Sequence, residues 1–180
     1  MPANPFYTVA FPDIAAAQRQ WIQEVRREHD PNFGVVDPHF TLVFSVRDMD
    51  EAAYLGHIGS IARGARPIRF HCRHAMLGAD DIDGTAHVYL VPSEGHAEIY
   101  LLHEALYRGL LQPHHRLEFP YIPHIGVAAT KDFQQAKRLC DRLNAGGIAV
   151  EGTLVALTAG VLRDGRLKGM ASFALGGGRA

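Results

Sequence analysis

The chain has 180 residues, of which 47% are hydrophobic and 21% charged, and a net charge of −1 with histidine neutral. Those proportions describe a globular chain able to bury a core, with the length of one domain or of one domain with two lobes. They exclude the broadly basic balance of a protein that grips long nucleic acid through many phosphates. The two cysteines, Cys72 and Cys140, lack CxxC spacing, which argues against a disulfide scaffold or a cysteine zinc site.

Phe6 to Phe11 has the composition of a strand, closed by Pro12. Asp13 is placed to cap a helix running to about Glu28, with Ile14, Ala17, Trp21, Ile22 and Val25 as its apolar stripe. His39 to Val46 predicts a second strand, and about Asp48 to Arg63 a second helix. Pro67 to Leu77 and Ala86 to Val91 predict a hairpin around Asp83-Gly84. The spacing of Ile99, Leu102, Leu106 and Leu110 predicts one helix from Ser93 to Leu111. A strand over His124 to Ala129 follows, then a helix from about Asp132 to Asn144 ended by Gly146-Gly147. Ile148 to Leu162 and Leu167 to Leu175 predict closing strands joined at Asp164-Gly165, and residues 176–180 predict a flexible tail.

Within this order one phrase occurs twice. Pro38-His39-Phe40-Thr41-Leu42 returns as Pro123-His124-Ile125-Gly126-Val127, with the two histidines 85 residues apart. After each comes a helix, a strand, an Asp-Gly turn and a strand, which is the signature of an internal duplication. No linker separates the halves, so we expect residues 1–180 to form a single domain of two lobes.

Side chains alternate faces along a strand. His39, Thr41, Val43 and Ser45 therefore share one face, and Phe40, Leu42, Phe44 and Val46 a core face. In the second phrase His124, Gly126, Ala128 and Thr130 stand opposite Ile125, Val127 and Ala129. Histidine exchanges a proton near neutral pH, so two on equivalent strands supply an acid and a base to one cleft. A threonine hydroxyl two residues on can donate to a phosphate oxygen.

His39-Phe40-Thr41-Leu42 matches the H-x-[S/T]-hydrophobic signature of the 2H phosphoesterase superfamily, which includes bacterial 2′-5′ RNA ligases and cyclic phosphodiesterases. His124-Ile125-Gly126-Val127 resembles its second copy, with Gly126 in place of threonine or serine. The resemblance implies an α+β, bilobal, pseudo-twofold fold in which antiparallel sheets line a central cleft and helices lie outside. It implies catalysis by His39 and His124 without a metal or other cofactor, and substrate binding by Thr41 and the Gly126 position. The expected substrate is a 2′,3′-cyclic phosphate, a 2′-5′ linkage or a related small nucleotide or RNA-end phosphodiester. The alternative is a non-catalytic nucleotide or RNA-end binding module, for which the missing hydroxyl at Gly126 speaks. A metal hydrolase using His39, His124 and Asp37 is a further rival.

We expect a cytoplasmic monomer with no membrane partner and no long nucleic-acid partner, because no apolar run reaches spanning length and the N-terminus lacks a signal-peptide pattern. His71-Cys72-Arg73-His74 predicts a solvated strand and His114-His115-Arg116 an exposed turn. Tyr7 and Tyr121, each able in principle to stack on a base, are expected to be packing residues.

Overall fold

The computed structural model describes residues 5–80, 84–118, 120–163 and 166–176. Asp83, Asp164, Gly165 and the tail beyond Gly176 lie outside the described residues. In chain order the elements are β1 (Phe6–Ala10), β2 (Asp13–Ile14), α1 (Ala16–His29), β3 (Phe40–Val46), α2 (Glu51–Gly64), β4 (Ile68–Asp80) and β5 (Thr85–Glu94). There follow α3 (His96–Leu106), a 3-10 helix (Gly109–His114), β6 (Ile125–Thr130), α4 (Phe133–Gly146), β7 (Val150–Leu154), β8 (Ala156–Arg163) and β9 (Arg166–Ala174). The class is α+β, with two antiparallel sheets ordered β3-β1-β8-β9 and β2-β7-β4-β5-β6.

Each histidine strand forms an end of its own sheet, and each sheet borrows a strand from the other half of the chain. β8, from the second repeat, pairs with β1; β4, from the first, pairs with β5. The helices cross over too, with α1 packed on β6 and α3 on β3. Neither repeat therefore completes its sheet alone.

Several elements differ from the sequence expectation for identifiable reasons. Asp13 does not cap α1; it pairs with Thr153 in the short strand β2, and Ala15 stands at the cap with no side-chain bond. Asp50 and Asp132 do cap α2 and α4, accepting from Ala53 N and from Gln134 and Gln135 N. The helix expected over Ser93–Leu111 is three pieces. β5 continues to Glu94, and Gly95 makes the turn into α3 at φ +80°, where a Cβ would lie 2.2 Å from the Arg69 carbonyl oxygen. The 3-10 helix then begins at Gly109, also at positive φ. The strand expected over Ile148–Leu162 breaks at Val155 into β7 and β8, which belong to different sheets.

The core includes a hydrogen bond between Thr8 Oγ1 and Tyr54 Oη at 2.7 Å, linking β1 to α2, with both residues fully buried. The Tyr54 ring also stacks on Phe6, centroids 4.8 Å apart. Tyr54→Phe keeps the ring and strands the Thr8 hydroxyl, so urea unfolding should show a loss of about 1–3 kcal/mol. Combining it with Thr8→Val removes both partners and should recover much of that loss. No recovery in the double variant would contradict a penalty from the unpaired hydroxyl.

Candidate functional site

β3 and β6 carry the same irregularity at the same place. In β3, Thr41 pairs with Val9 but Val43 with Thr8, leaving Leu42 as an extra residue. In β6, Gly126 pairs with Tyr89 but Ala128 with Val88, leaving Val127 extra. Each bulge thus falls three residues after its histidine, and a bulge inverts the alternation beyond it. His39 and Thr41 keep a common face, as do His124 and Gly126. Past the bulge some of the expected faces change, although Val46, beyond a second register shift, and Val127 are buried as expected. Val43 and Ala128 are buried, whereas Phe44, expected in the core, is 39% exposed.

The histidines sit just before their strands and are held alike. His39 Nδ1 lies 2.7 Å from the Asp37 carbonyl, and His124 Nδ1 lies 2.6 Å from the Ile122 carbonyl. A carbonyl only accepts, so both Nδ1 atoms carry hydrogen and both neutral rings present a bare Nε2. The residue skipped in each case is a proline, Pro38 or Pro123, whose fixed φ shapes the backbone that turns the carbonyl toward the ring. Asp37 therefore meets His39 through its backbone; its carboxylate accepts from Gln23 Nε2 at 3.1 Å.

Upstream of His39, the loop from Asp30 to Asp37 is anchored by the buried Arg26 of α1. Its guanidinium bonds the Asp30 carboxylate at 2.7 Å, the Val36 carbonyl at 2.8 Å and the Asn32 carbonyl at 3.2 Å. Upstream of His124, Tyr121 Oη donates to the Thr41 carbonyl at 3.0 Å, tying the approach to the second phrase onto the first histidine strand. The His124 ring stacks on Tyr89, centroids 3.8 Å apart, and Tyr89 stacks in turn on His87 at 5.6 Å.

Both imidazoles are driven toward the neutral form. Burial lowers the pKa of His39, partly offset by the bond to Asp37. Burial lowers that of His124 to about 4, offset by Ile122 and reinforced by the positive charges that His39 and His87 carry when protonated. The two histidines thus lie within electrostatic reach of each other, so protonation of one opposes protonation of the other.

Beside His124 opens a cavity of ≈ 600 Å³ walled largely by rings, among them Phe44, Tyr89, His103, Tyr107, His115 and Tyr121. His103 and Tyr121 stack at 3.7 Å, nearly coplanar, and Tyr107 and His115 at 4.7 Å. His115, expected in an exposed turn, is partly buried against this cavity, while Arg116 at its rim is exposed as expected. Tyr121 does pack, as expected, but also faces the cavity. Of the strand expected to be solvated, Arg73 is exposed beside Glu94, His71 is partly covered, and Cys72 is fully buried in the core. The sequence did not single out Tyr89, His103 or Tyr107. The period-two pattern of β5 places Tyr89 with His87 on one face, and that was the available signal. Nothing local marks His103 in α3 or Tyr107 at its C-cap, because the strand they meet lies about sixty residues away. At Gly126, a Cβ would meet no heavy atom within 4 Å, so the face beside His124 is open where the first phrase has threonine.

Two antiparallel sheets, each ending in a bulged strand that follows a carbonyl-held histidine, define a two-histidine phosphoesterase architecture. The chain belongs to the 2′-5′ RNA ligase superfamily, whose family model matches residues 12–166. It is 29% identical over 105 residues to a Bacillus pumilus (strain SAFR-032) protein assigned as a phosphoesterase, a match spanning 57% of this chain and 58% of that protein. Among solved structures it is similar to TT0787 of Thermus thermophilus (TM-score 0.62, 16% identity, 97% and 100% of the two chains). E. coli LigT in its apo form is similar at TM-score 0.56 with 16% identity, over 97% and 99% of the chains. Kluyveromyces marxianus Usb1 is similar at TM-score 0.60 with 10% identity, over 96% and 97%.

A histidine kept neutral by burial makes folding sensitive to acid. The unfolded imidazole binds its proton near pH 6.5, the folded His124 only near 4, so the unfolded state holds more protons between those values. Stability should therefore be unaffected by this group above about pH 6.5 and fall as pH drops toward 4, by on the order of 3 kcal/mol in full. Urea unfolding at pH 7 and pH 5 should show a clear loss in the wild type and a smaller one in His124→Gln. Equal losses in the two proteins would contradict a partly buried, neutral His124.

Proposed function

We propose that this chain is a metal-independent phosphodiesterase acting on a 2′,3′-cyclic phosphate, a 2′-5′ linkage or a related nucleotide or RNA-end phosphodiester. The observation that carries the proposal is the pair of imidazoles, each fixed through Nδ1 to a backbone carbonyl two residues back and each leading into a matched bulged strand. The bare Nε2 of one takes a proton from water or a ribose hydroxyl, whose oxygen attacks phosphorus. The other, protonated, gives its Nε2 proton to the departing ribose oxygen as the P–O bond breaks. In the empty cleft burial favours two neutral rings; the negative charge of a phosphodiester raises their pKa values and admits the one proton the cycle needs. The Thr41 hydroxyl and a backbone N–H near Gly126 hold the non-bridging oxygens.

E. coli LigT has been solved in complex with 3′-AMP, NADP+, ATP and phosphate. We extend that small-nucleotide chemistry to this chain, with the ring-walled cavity beside His124 receiving the nucleoside portion. A non-catalytic binding module is favoured by one observation, the open space at Gly126 where a hydroxyl is missing.

Turnover of 2′,3′-cyclic nucleotides and 2′-5′-linked dinucleotides in the presence of a strong chelator decides between these readings. His39→Ala and His124→Ala should each reduce kcat by about 10²–10⁴-fold with the fold retained, and Thr41→Ala by less, since it removes a donor and not a proton carrier. Near wild-type turnover in either histidine variant would overturn the acid–base pair. No turnover of any such diester, with nucleotide binding retained, would leave the binding module.

Gly126→Thr restores a hydroxyl on the His124 face, where the structure has room. A hydrogen bond to a charged group contributes about 1.5–3 kcal/mol, so kcat/KM should rise by about tenfold or more. A large loss would show that the glycine admits the substrate or lets the backbone approach it.

A further inference from the structure

Outside the His39–His124 pair, one group of metal-type side chains stands together among the described residues: His103 and Glu104 near the end of α3, and His115 just after the 3-10 helix. One nitrogen or oxygen from each lies within 4.8 Å of the others. The Glu104 Oε1 atom is 4.0 Å from His103 Nε2 and 3.7 Å from His115 Nε2. A tetrahedral zinc ion with ligand bonds near 2.0–2.1 Å holds its ligand atoms about 3.3 Å apart, so side-chain rotations that draw the three groups together by about 0.4 to 1.5 Å complete the site.

The orientation of His103 is a second, independent observation. Its Nδ1 lies 2.9 Å from the Leu42 carbonyl and must donate to it, which leaves Nε2 bare and directed at Glu104. An imidazole whose far nitrogen is fixed by a backbone carbonyl is the usual outer support of a metal ligand. Stacking on Tyr121 and burial to 3% exposure hold the ring in that attitude. Two imidazoles and one carboxylate form a ligand set suited to a borderline divalent ion and leave a position vacant. Both histidines line the ring-walled cavity, so that position opens toward it.

We propose that His103, Glu104 and His115 form a binding site for a divalent transition-metal ion of zinc type, with its remaining coordination position facing the cavity. Occupancy clamps the chain at His115 onto α3 and places a cation in the wall of that cavity. The proposal uses neither His39 nor His124 and stands whatever the diester chemistry proves to be.

The test is isothermal titration of chelator-treated full-length protein with ZnCl₂, with thermal unfolding alongside. We expect one saturable equivalent per chain and an unfolding temperature that rises with zinc. His115→Ala and Glu104→Gln each remove a ligand at a partly exposed position, and each should weaken binding by about tenfold or more with an unchanged circular-dichroism spectrum. Two variants are used so that a folding failure in one leaves the other decisive. Absence of saturable binding to the wild type, or an affinity unchanged in the folded variants, would overturn the site and place any bound zinc elsewhere among the eleven histidines.

Discussion

Strand β3 lies at the end of its sheet, and the backbone groups along its free side must find partners outside the ladder. Three do so through side chains of the second repeat. Tyr121 Oη donates to the Thr41 carbonyl, His103 Nδ1 donates to the Leu42 carbonyl, and Tyr107 Oη accepts from the Phe44 N–H at 2.9 Å. Leu42 is the extra residue of the bulge, so the irregularity in the first histidine strand is also a point of attachment for α3. This satisfied edge holds the first histidine strand against the segment that ends at His124, and the cavity is the space its aromatic partners enclose. Removing any of these partners leaves a part-buried polar group unpaired, which ties the geometry of the cleft to stability.

The duplication explains why two distant histidines end up in matched states. Each follows a proline, each gives its Nδ1 hydrogen to the carbonyl two residues back, and each precedes a bulge three residues on. The supports differ in kind. His39 has an edge contact with Phe11, centroids 6.1 Å apart, and depends on the Arg26-anchored loop before it. His124 lies flat against Tyr89, and burial lowers its pKa to about 4. A pseudosymmetric frame thus holds two rings that are equivalent in placement but not in environment, which is the condition under which paired groups divide acid and base roles.

The doubled histidine phrase was legible in the sequence because it is local, and with it the α+β class and most helices and strands. Geometry that depends on distant pairing was not. Strict alternation put Phe44 in the core, but the bulge at Leu42 turns its ring to the cavity. Apolar spacing joined Ser93 to Leu111 in one helix, but Gly95 is needed at positive φ against the Arg69 carbonyl. The β-type run from Ile148 to Leu162 gave no sign of changing sheets at Val155. Asp13 looked like a cap because its residue type fits one, yet Thr153 claims it for β2. The pairing of β1 with β8 leaves no local mark, since residues 6–9 meet residues 158–161, whereas the β4–β5 pairing was legible as a hairpin.

The central claim is that His39 and His124 form one phosphate site. The most direct measurement is imidazole ¹⁵N NMR of the wild type during titration with 3′-AMP at neutral pH. The account predicts that the Nε2 signals of both histidines shift along a single binding isotherm, with one ring gaining a proton as the phosphate enters. A ligand that saturates while perturbing only one of the two histidines, or neither, would contradict it.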